Sequence, residues 1–537
     1  MKKVPLLFLA IAAASCSYAQ KDPNAVKFAK YITVEDATKH LSILASDDYE
    51  GRETGKAGAD KAAKYIANEF KKLGLQGPVK GSYFLDVPLT ENSFKVGPVT
   101  VAGTTFTNGK DFYSMTAAPA NTVKAAEFVF VGYGITDAKY DDLKDVDITG
   151  KVVLVINDGE PMKNGVSLIT GSATRSQWSI SRGKRVGALQ AKKPALILAV
   201  SPVVAANLQR YGSSILAPRM GIKKEGAVEP TGNGPVVMNI TADMANALLK
   251  STGKTYTQLK EEIDATSAPK TQVVKTPVEV SYSTEEKAVK AVDVLGYLPG
   301  SDPKLKNEVL VISAHYDHIG IEPEGSTKTD KINNGADDDG SGTTGMLELA
   351  RAFSKAKKAG KGPKRSILFL GNVGEEKGLL GSEYYTDHPV FPLANTIADL
   401  NIDMIGRVGE EYIGKPDSAN YVYSIGSAML STTLHKIGEE ANNTYTQMKL
   451  DYKYDDPNDP NRFYYRSDHY NFARFNVPII FYFNGVHADY HQPGDEVSKI
   501  NFPLLVKRSH LVYYTAWELA NRAERPVVDV KTEQGVK

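Results

Sequence analysis

The chain has 537 residues, 42% of them hydrophobic and 24% charged, enough apolar material for two or three domains with at least one large core. Its 64 Lys and Arg face 63 Asp and Glu, a formal net charge of +1. So even a balance offers no footprint for nucleic acid or for an anionic membrane surface as partner.

The opening MKKVPLLFLAIAAASCSYAQ has a lysine pair, an apolar stretch from Val4 to Ala14 and small residues at Ser17 and Ala19. This pattern predicts a secretory signal over residues 1–19, too short to span a bilayer. Two exits are open: cleavage after Ala19, or lipid attachment at Cys16 in the AASC box. The predicted location is periplasmic or extracellular, with an outer-membrane lipoprotein held through Cys16 as the alternative. Cys16 is the only cysteine. The mature chain therefore offers no intrachain disulfide, no thiol nucleophile and no zinc thiolate.

Within residues 20–104, TVEDATKHLSILASD reads as a helix opened by a Thr33 cap. A second helix, AGADKAAKYIANEFKKLGL, carries Ala63, Ile66, Ala67 and Phe70 on one stripe and stops at Gly74. Between them, SDDYEGRETGKAG reads as a polar loop containing Arg52. From 105 to 255 the texture changes to short β-rich runs such as AEFVFVGYG, GKVVLVIN and PALILAV, separated by Gly and Pro turns. This module holds no histidine, so it is expected to be a substrate-restricting lid or a structural appendage rather than to supply a site. Over residues 256–525 strands alternate with helices, which predicts an α/β fold with a mostly parallel sheet covered on both faces. The tail, 526–537, is polar and aperiodic.

Acids and histidines recur just past the apolar runs of the α/β part. VLVISAHYDHIG ends in His315 and Asp317. Asp337, Asp338 and Asp339 follow in NNGADDDGSG, Glu375 and Glu376 follow ILFLGNVG, Asp403 follows LNI, and His491 follows FYFNGVHADY. Open α/β sheets place their chemistry at the C-terminal ends of strands. Taken singly, each of these residues reads more readily as a solvated loop or turn. Together, five N/O ligands can hold two zinc ions if one carboxylate bridges them. In the Glu375-Glu376 pair one carboxylate can ligate while its neighbour faces a water as general base. Asp317 is placed to hydrogen-bond the second ring nitrogen of His315.

HYDHIG, NGADDDGSG, GEEKGLLGS, NIDMIG and YHQPGDE together resemble the co-catalytic zinc aminopeptidases, the family that also includes glutamate carboxypeptidase. The early block LSILASDDYEGRETGKAGADKAAKYIANEFKKLGL resembles that family's N-terminal segment, and VFVGYGITDAKYDDLKDVDITGKVVLVI resembles the protease-associated domain inserted in some members. The resemblance implies a three-layer α/β/α zinc-exopeptidase fold with that insert, peptide substrates and two Zn²⁺ per chain. It makes His315 and Asp403 ligands of one zinc, Glu376 and His491 ligands of the other, and Asp338 the bridge. Glu375 becomes the general base for a metal-bridging hydroxide, with Asp317 as the carboxylate behind His315.

His469 in YYRSDHYNF and Tyr490 are expected near the substrate rim. His318 and His487 read as packing or structural residues, and Phe483 as core or pocket wall. A carboxypeptidase-like activity on acidic substrates needs arginines at the pocket, with Arg462 and Arg466 the candidates. A glutaminyl-cyclase-like enzyme of the same fold uses one zinc. A metal-free peptide-binding module is the remaining alternative. A serine hydrolase is disfavoured because no G-x-S-x-G occurs and Ser341 sits in a glycine turn.

Overall fold

The computed structural model describes residues 21–116, 118–223 and 234–530. The signal segment with Cys16 lies outside them, as does the end of the tail, 531–537. The chain divides into two compact units, one built from residues up to Pro88 together with those from Lys290 onward, the other from Leu89–Val289.

The first unit opens with α1 (Pro23–Ala29), α2 (Val34–Leu44) and α3 (Ala57–Leu73). The Thr33 side chain accepts the Asp36 N–H at 3.2 Å and caps α2, whose first turn carries Glu35 and Asp36 toward the positive end of the helix. Gly74, with φ at 84°, ends α3 in the left-handed conformation that glycine adopts at low cost. Ala63, Ile66, Ala67 and Phe70 are buried, as their spacing requires.

The strands met in and at the edges of this unit are β1 (Phe84–Val96), β2 (Val278–Leu298), β3 (Val309–His315), β4 (Ser366–Asn372), β5 (Thr396–Ile402), β6 (Tyr421–Ile425), β7 (Lys449–Asp451) and β8 (Ile479–Phe483). The boundaries between the units fall inside β1 and β2. Within the unit the sheet runs β2-β4-β3-β5-β8-β6-β7. The four central strands β4, β3, β5 and β8 are parallel, while β2 and β6 join antiparallel, so the sheet is mixed. Every residue of β3, β4 and β5 is buried, the pattern of strands covered on both faces. Helices α4 (Gly342–Lys358), α5 (Leu380–Asp387), α6 (Thr432–Ala441), α7 (His469–Ala473) and α8 (Phe502–Asn521) complete the unit. α4 packs on β3, β4 and β5, and α7 packs on β5 and β8. Because the central strands are parallel, their C-terminal ends emerge along one edge. Part of the polar tail is held: Asp529 accepts the Thr432 N–H at 2.8 Å.

The second unit is wider than the segment 105–255 delimited by turn signals, because edge strands on both sides, Val99–Val101 and Gln272–Val274, pair within it. Its six-stranded sheet contains, in order, Gln272–Val274, Phe128–Phe130, Val152–Ile156, Leu196–Val200, Val236–Ile240 and Phe112–Ser114, parallel in the middle and antiparallel at both ends. Val152, Leu154 and Ile156 join one apolar cluster, and Val153 and Val155 join another. Both faces are thus covered, and helices such as Val204–Leu216 and Tyr256–Thr266 make the unit α/β rather than only β-rich.

Candidate active site

β3 ends on His315, β4 runs through a short turn to Glu375 and Glu376, β5 is followed directly by Asp403, and the loop after β8 carries His491. The C-terminal edge of the parallel strands thus collects these side chains. His315 Nε2 lies 3.3 Å from Asp338 Oδ1, 3.6 Å from Asp403 Oδ1 and 4.0 Å from Glu375 Oε2. His491 Nε2 lies 3.1 Å from Asp338 Oδ2 and 3.0 Å from Glu376 Oε2. The two oxygens of Asp338 therefore face different histidines, which is what a bridging carboxylate requires.

The neighbours of Asp338 show why it alone is free to do this. Asp337 Oδ1 accepts from Ser341 Oγ and the Gly406 N–H, and Asp339 Oδ1 accepts from the Gly342 and Met404 N–H groups. Both flanking aspartates thus commit one oxygen to holding the turns around the site. Asp495, from the YHQPGDE stretch, accepts the N–H groups of Asp337 and Asp338 at 2.9 and 3.1 Å and holds the turn. His487 is buried with Nε2 3.2 Å from Asp337 Oδ2, a bracing position behind the triplet.

The adjacent glutamates are in different environments. Glu376 splits its oxygens between His318 Nδ1, at 2.7 Å, and His491. Burial opposes ionisation there, but the hydrogen bond from His318 and the nearness of His491 outweigh it and hold Glu376 at about 2. Glu375 is pushed well above the ordinary carboxylate range by burial, with His315 pulling down and Glu376 pushing up. Two neighbouring acids driven apart in this way can divide into one that stays charged and one whose carboxylate readily takes up a proton. At His491, burial acts against protonation, yet Asp338 and Glu376 raise the imidazole to about 10, the response of a ring whose Nε2 lies between two carboxylates.

Asp317 differs from expectation. His315 Nδ1 is 3.0 Å from the backbone carbonyl of Asp317 and 3.9 Å from its carboxylate, so the main chain fixes the ring. The Asp317 carboxylate instead accepts from Thr54 Oγ1 at 2.6 Å and from the Glu375 N–H at 3.3 Å. His318 is not a packing residue at the periphery. It is buried, and with Asp338 and Glu376 it brings one ligand atom each within 4.8 Å, as His315, Glu375 and Asp403 also do. The spacing of the second histidine in HYDH, three residues after the first, is the signal for it. His469 moves away from the rim: it is fully buried, stacks on Phe481 at 4.6 Å and has Nε2 2.8 Å from the Tyr464 carbonyl. Burial lowers its imidazole to about 3, which suits a neutral core residue. Tyr490 stacks on His491 at 4.0 Å and lines a cavity with Asp338, Glu375, Phe463, Phe481 and Phe483. Arg466 lies on the same wall, 3.3 Å from the Tyr490 hydroxyl, while Arg462 is exposed and stacks over Tyr465.

Ser467, which the sequence did not mark, and Arg52, read there as part of a polar loop, complete the site. Ser467 Oγ donates to Asp403 Oδ2 at 2.6 Å, leaving Oδ1 for His315, and Arg52 reaches the carbonyls of two ligand loops. The donor set fits a pair of hard-to-borderline cations. It contains only imidazole nitrogen and carboxylate oxygen, and ligands about 2 Å from a tetrahedral zinc stand about 3.3 Å apart, close to the spacings around His315. Asp338 Oδ2 and His491 Nε2 are buried without a hydrogen-bond partner, atoms a cation would satisfy.

The model of peptidase family M28 matches residues 293–516. The aminopeptidase YwaD of Bacillus subtilis is 27% identical over 231 residues, 41% of this chain and 43% of that protein. Leupeptin-inactivating enzyme 1 of Streptomyces exfoliatus is 28% identical over 244 residues, 41% of this chain and 47% of that protein. The match thus spans less than half the length of these relatives. The aminopeptidase from Aneurinibacillus sp. strain AM-1 shares the fold, with a TM-score of 0.55 at 19% identity over 95% of this chain and 98% of that one. With two acid–histidine clusters at the strand ends inside the matched segment, residues 293–516 carry the core of a metallo-exopeptidase of the M28 type.

Proposed function

We propose that the chain is an exported two-zinc aminopeptidase that removes N-terminal residues from peptides. The observation that carries this reading is Asp338 facing His315 with one oxygen and His491 with the other, while Glu375 stands beside the cluster. His315 and Asp403 would hold one ion, Glu376 and His491 the other, with Asp338 shared and His318 fixing the second oxygen of Glu376. When bound, such a pair supplies Lewis acidity toward a carbonyl and acidifies water. Glu375 takes the proton of the attacking water at its carboxylate and returns it to the leaving amine. Asp317 holds the Glu375 backbone N–H and so sets where that carboxylate points. Phe463, Phe481 and Phe483 give the cavity an apolar wall suited to an apolar side chain on the residue removed.

A carboxylate-recognising, carboxypeptidase-like reading has one observation in its favour, Arg466 on the cavity wall. Full-length protein should contain about two zinc ions per chain, lose hydrolysis of aminoacyl anilides on prolonged chelation and regain it with zinc or cobalt. Activity surviving with no metal bound would overturn the metal mechanism. Cleavage confined to N-blocked peptides would favour the carboxypeptidase reading, one zinc with cyclisation of N-terminal glutamine the cyclase, and no metal a binding module. Export rests on residues 1–19 alone. The mass of the mature N-terminus decides between Gln20 and a lipidated Cys16.

A further inference from the structure

The segment that matches the peptidase family begins at residue 293, yet side chains that fasten its ligand loops come from residues 52–54, between α2 and α3. Arg52 is 1% exposed and makes five hydrogen bonds, all to carbonyls. Nε donates to Tyr316 O at 2.8 Å, Nη1 to Leu44 O and Asn334 O at 2.7 Å each, and Nη2 to Gly335 O at 2.8 Å and Asp338 O at 3.5 Å. A guanidinium has five N–H donors, so this one is fully used. Its charge sits among Asp317, Asp338, Asp339 and Asp495 without an ion pair to any of them among the described residues.

The next two residues extend the pattern, Glu53 to the Glu375-Glu376 turn and Thr54 to a side chain of the His315 loop. Glu53 pairs with Lys377 Nζ at 2.9 Å, next to Glu375 and Glu376. Thr54, 1% exposed, donates to Asp317 Oδ2, whose other oxygen takes the Glu375 N–H. The backbone joins in: the His318 N–H donates to Arg52 O at 3.2 Å and the Gly320 N–H to Gly51 O at 3.0 Å. Gly51 has φ at 63°, and a Cβ there would lie 2.4 Å from Asn333 O, so the close approach requires glycine.

We propose that Arg52, Glu53 and Thr54 are positioning residues of the metal centre, a three-residue clamp whose side chains together fasten the three ligand-bearing segments around His315, Asp338 and Glu375-Glu376. Arg52 ties the His315 loop to the Asp338 loop, Thr54 ties Asp317 and through it the general base, and Glu53 ties the Glu375-Glu376 turn. The fork of Arg52 cannot be replaced by lysine, which has three donors on one atom and cannot reach carbonyls spread over three segments.

The inference rests on the metallopeptidase reading, and its test separates the two. Thr54→Val, Thr54→Ser and Arg52→Lys are made in the full chain, with thermal unfolding as the folding control. Zinc affinity of the metal-free protein is measured by competition with a chromophoric chelator, and hydrogen exchange is read at the His318 and Gly320 amides. Thr54→Val should weaken zinc by about 10–100-fold, the usual effect of losing a partner behind a ligand. It should also lower kcat at saturating zinc with KM nearly unchanged, and Thr54→Ser should restore both. Arg52→Lys should speed exchange at both amides. Should Arg52→Lys fail to fold, the threonine pair carries the test alone. Wild-type zinc affinity and kcat in a folded Thr54→Val protein would overturn the clamp. If the wild type itself takes up no zinc, the metal reading fails, and the clamp stands or falls on whether exchange at His318 and Gly320 rises in Arg52→Lys.

Discussion

At the scale of single residues, the two neighbouring glutamates give the sharpest contrast. Glu376 is held by two histidines and ionised, whereas Glu375 touches no histidine closer than 4.0 Å and is pushed toward protonation by burial. Glu375→Gln should therefore cut kcat by about 10²–10⁴-fold while both metals stay bound, because only proton transfer is lost. Glu376→Gln should chiefly lose the ion on its own side. Metal analysis of the two variants checks the division, and a reversed pattern would exchange their roles. The residues with metal-ligand chemistry were legible because His, Asp and Glu stand out just past apolar runs. Thr54 was not: it meets Asp317 across 263 residues of sequence, and a threonine in a polar loop carries no mark of its partner. His469 misled for the opposite reason. Its neighbourhood in sequence is rich in tyrosine and charge, but α7 turns the ring into the core against Phe481.

At the scale of elements, β5 does more than deliver Asp403. Its alternate residues Asp399 and Asn401 share one face, the period-two consequence of a strand, and Asp403 follows just past its end. A buried hydrogen-bonded chain connects them. Ser313 Oγ is 2.8 Å from Asp399 Oδ1 and 2.9 Å from Asn401 Oδ1, Asn401 Nδ2 donates to Ser467 Oγ at 2.8 Å, and Ser467 Oγ donates to Asp403. A hydroxyl has one proton to give, so one of the Ser313 contacts must be donated from the other side. Burial raises Asp399 well above the ordinary carboxyl range, so its carboxyl can supply that proton, and with Asp399 protonated every bond in the chain would point toward Asp403. A neutral amide can play the same part, so Asp399→Asn should keep zinc affinity within about twofold, while Ser467→Ala should weaken it by about 10-fold or more. Zinc titration of the metal-free variants measures both. An Asp399→Asn protein that lost the metal would show that the charge, rather than the proton, matters at this position. The strands themselves were legible from their apolar runs. The direction of the chain was not, because it depends on a serine just before α7 meeting β5 in space.

At the scale of the whole molecule, two units with separate cores raise the question of what the second contributes. Val152–Ile156 and Leu196–Val200 form a parallel pair whose alternate residues feed two apolar clusters of the unit's own, and all the strand partners of Gln272–Val274 and Phe112–Ser114 lie inside Leu89–Val289. A unit that buries both faces of its sheet with its own residues meets the condition for folding alone. Residues 89–289 expressed by themselves should therefore unfold in one cooperative transition, and a broad, non-cooperative melt would count against independence. Its sequence contains no histidine, and the site residues described above all belong to the first unit, so its removal should leave zinc binding intact. Replacing 89–289 by a short Gly/Ser bridge costs little in loop closure, since that cost rises only slowly with length. The expectation that the unit restricts access predicts that the shortened protein keeps dipeptide hydrolysis and gains on longer chains. Comparing kcat/KM on di-, tri- and decapeptides decides it: a zinc-loaded, folded variant with an unchanged length profile would assign the unit to stability or attachment, whereas a rise on decapeptides alone would assign it to substrate selection.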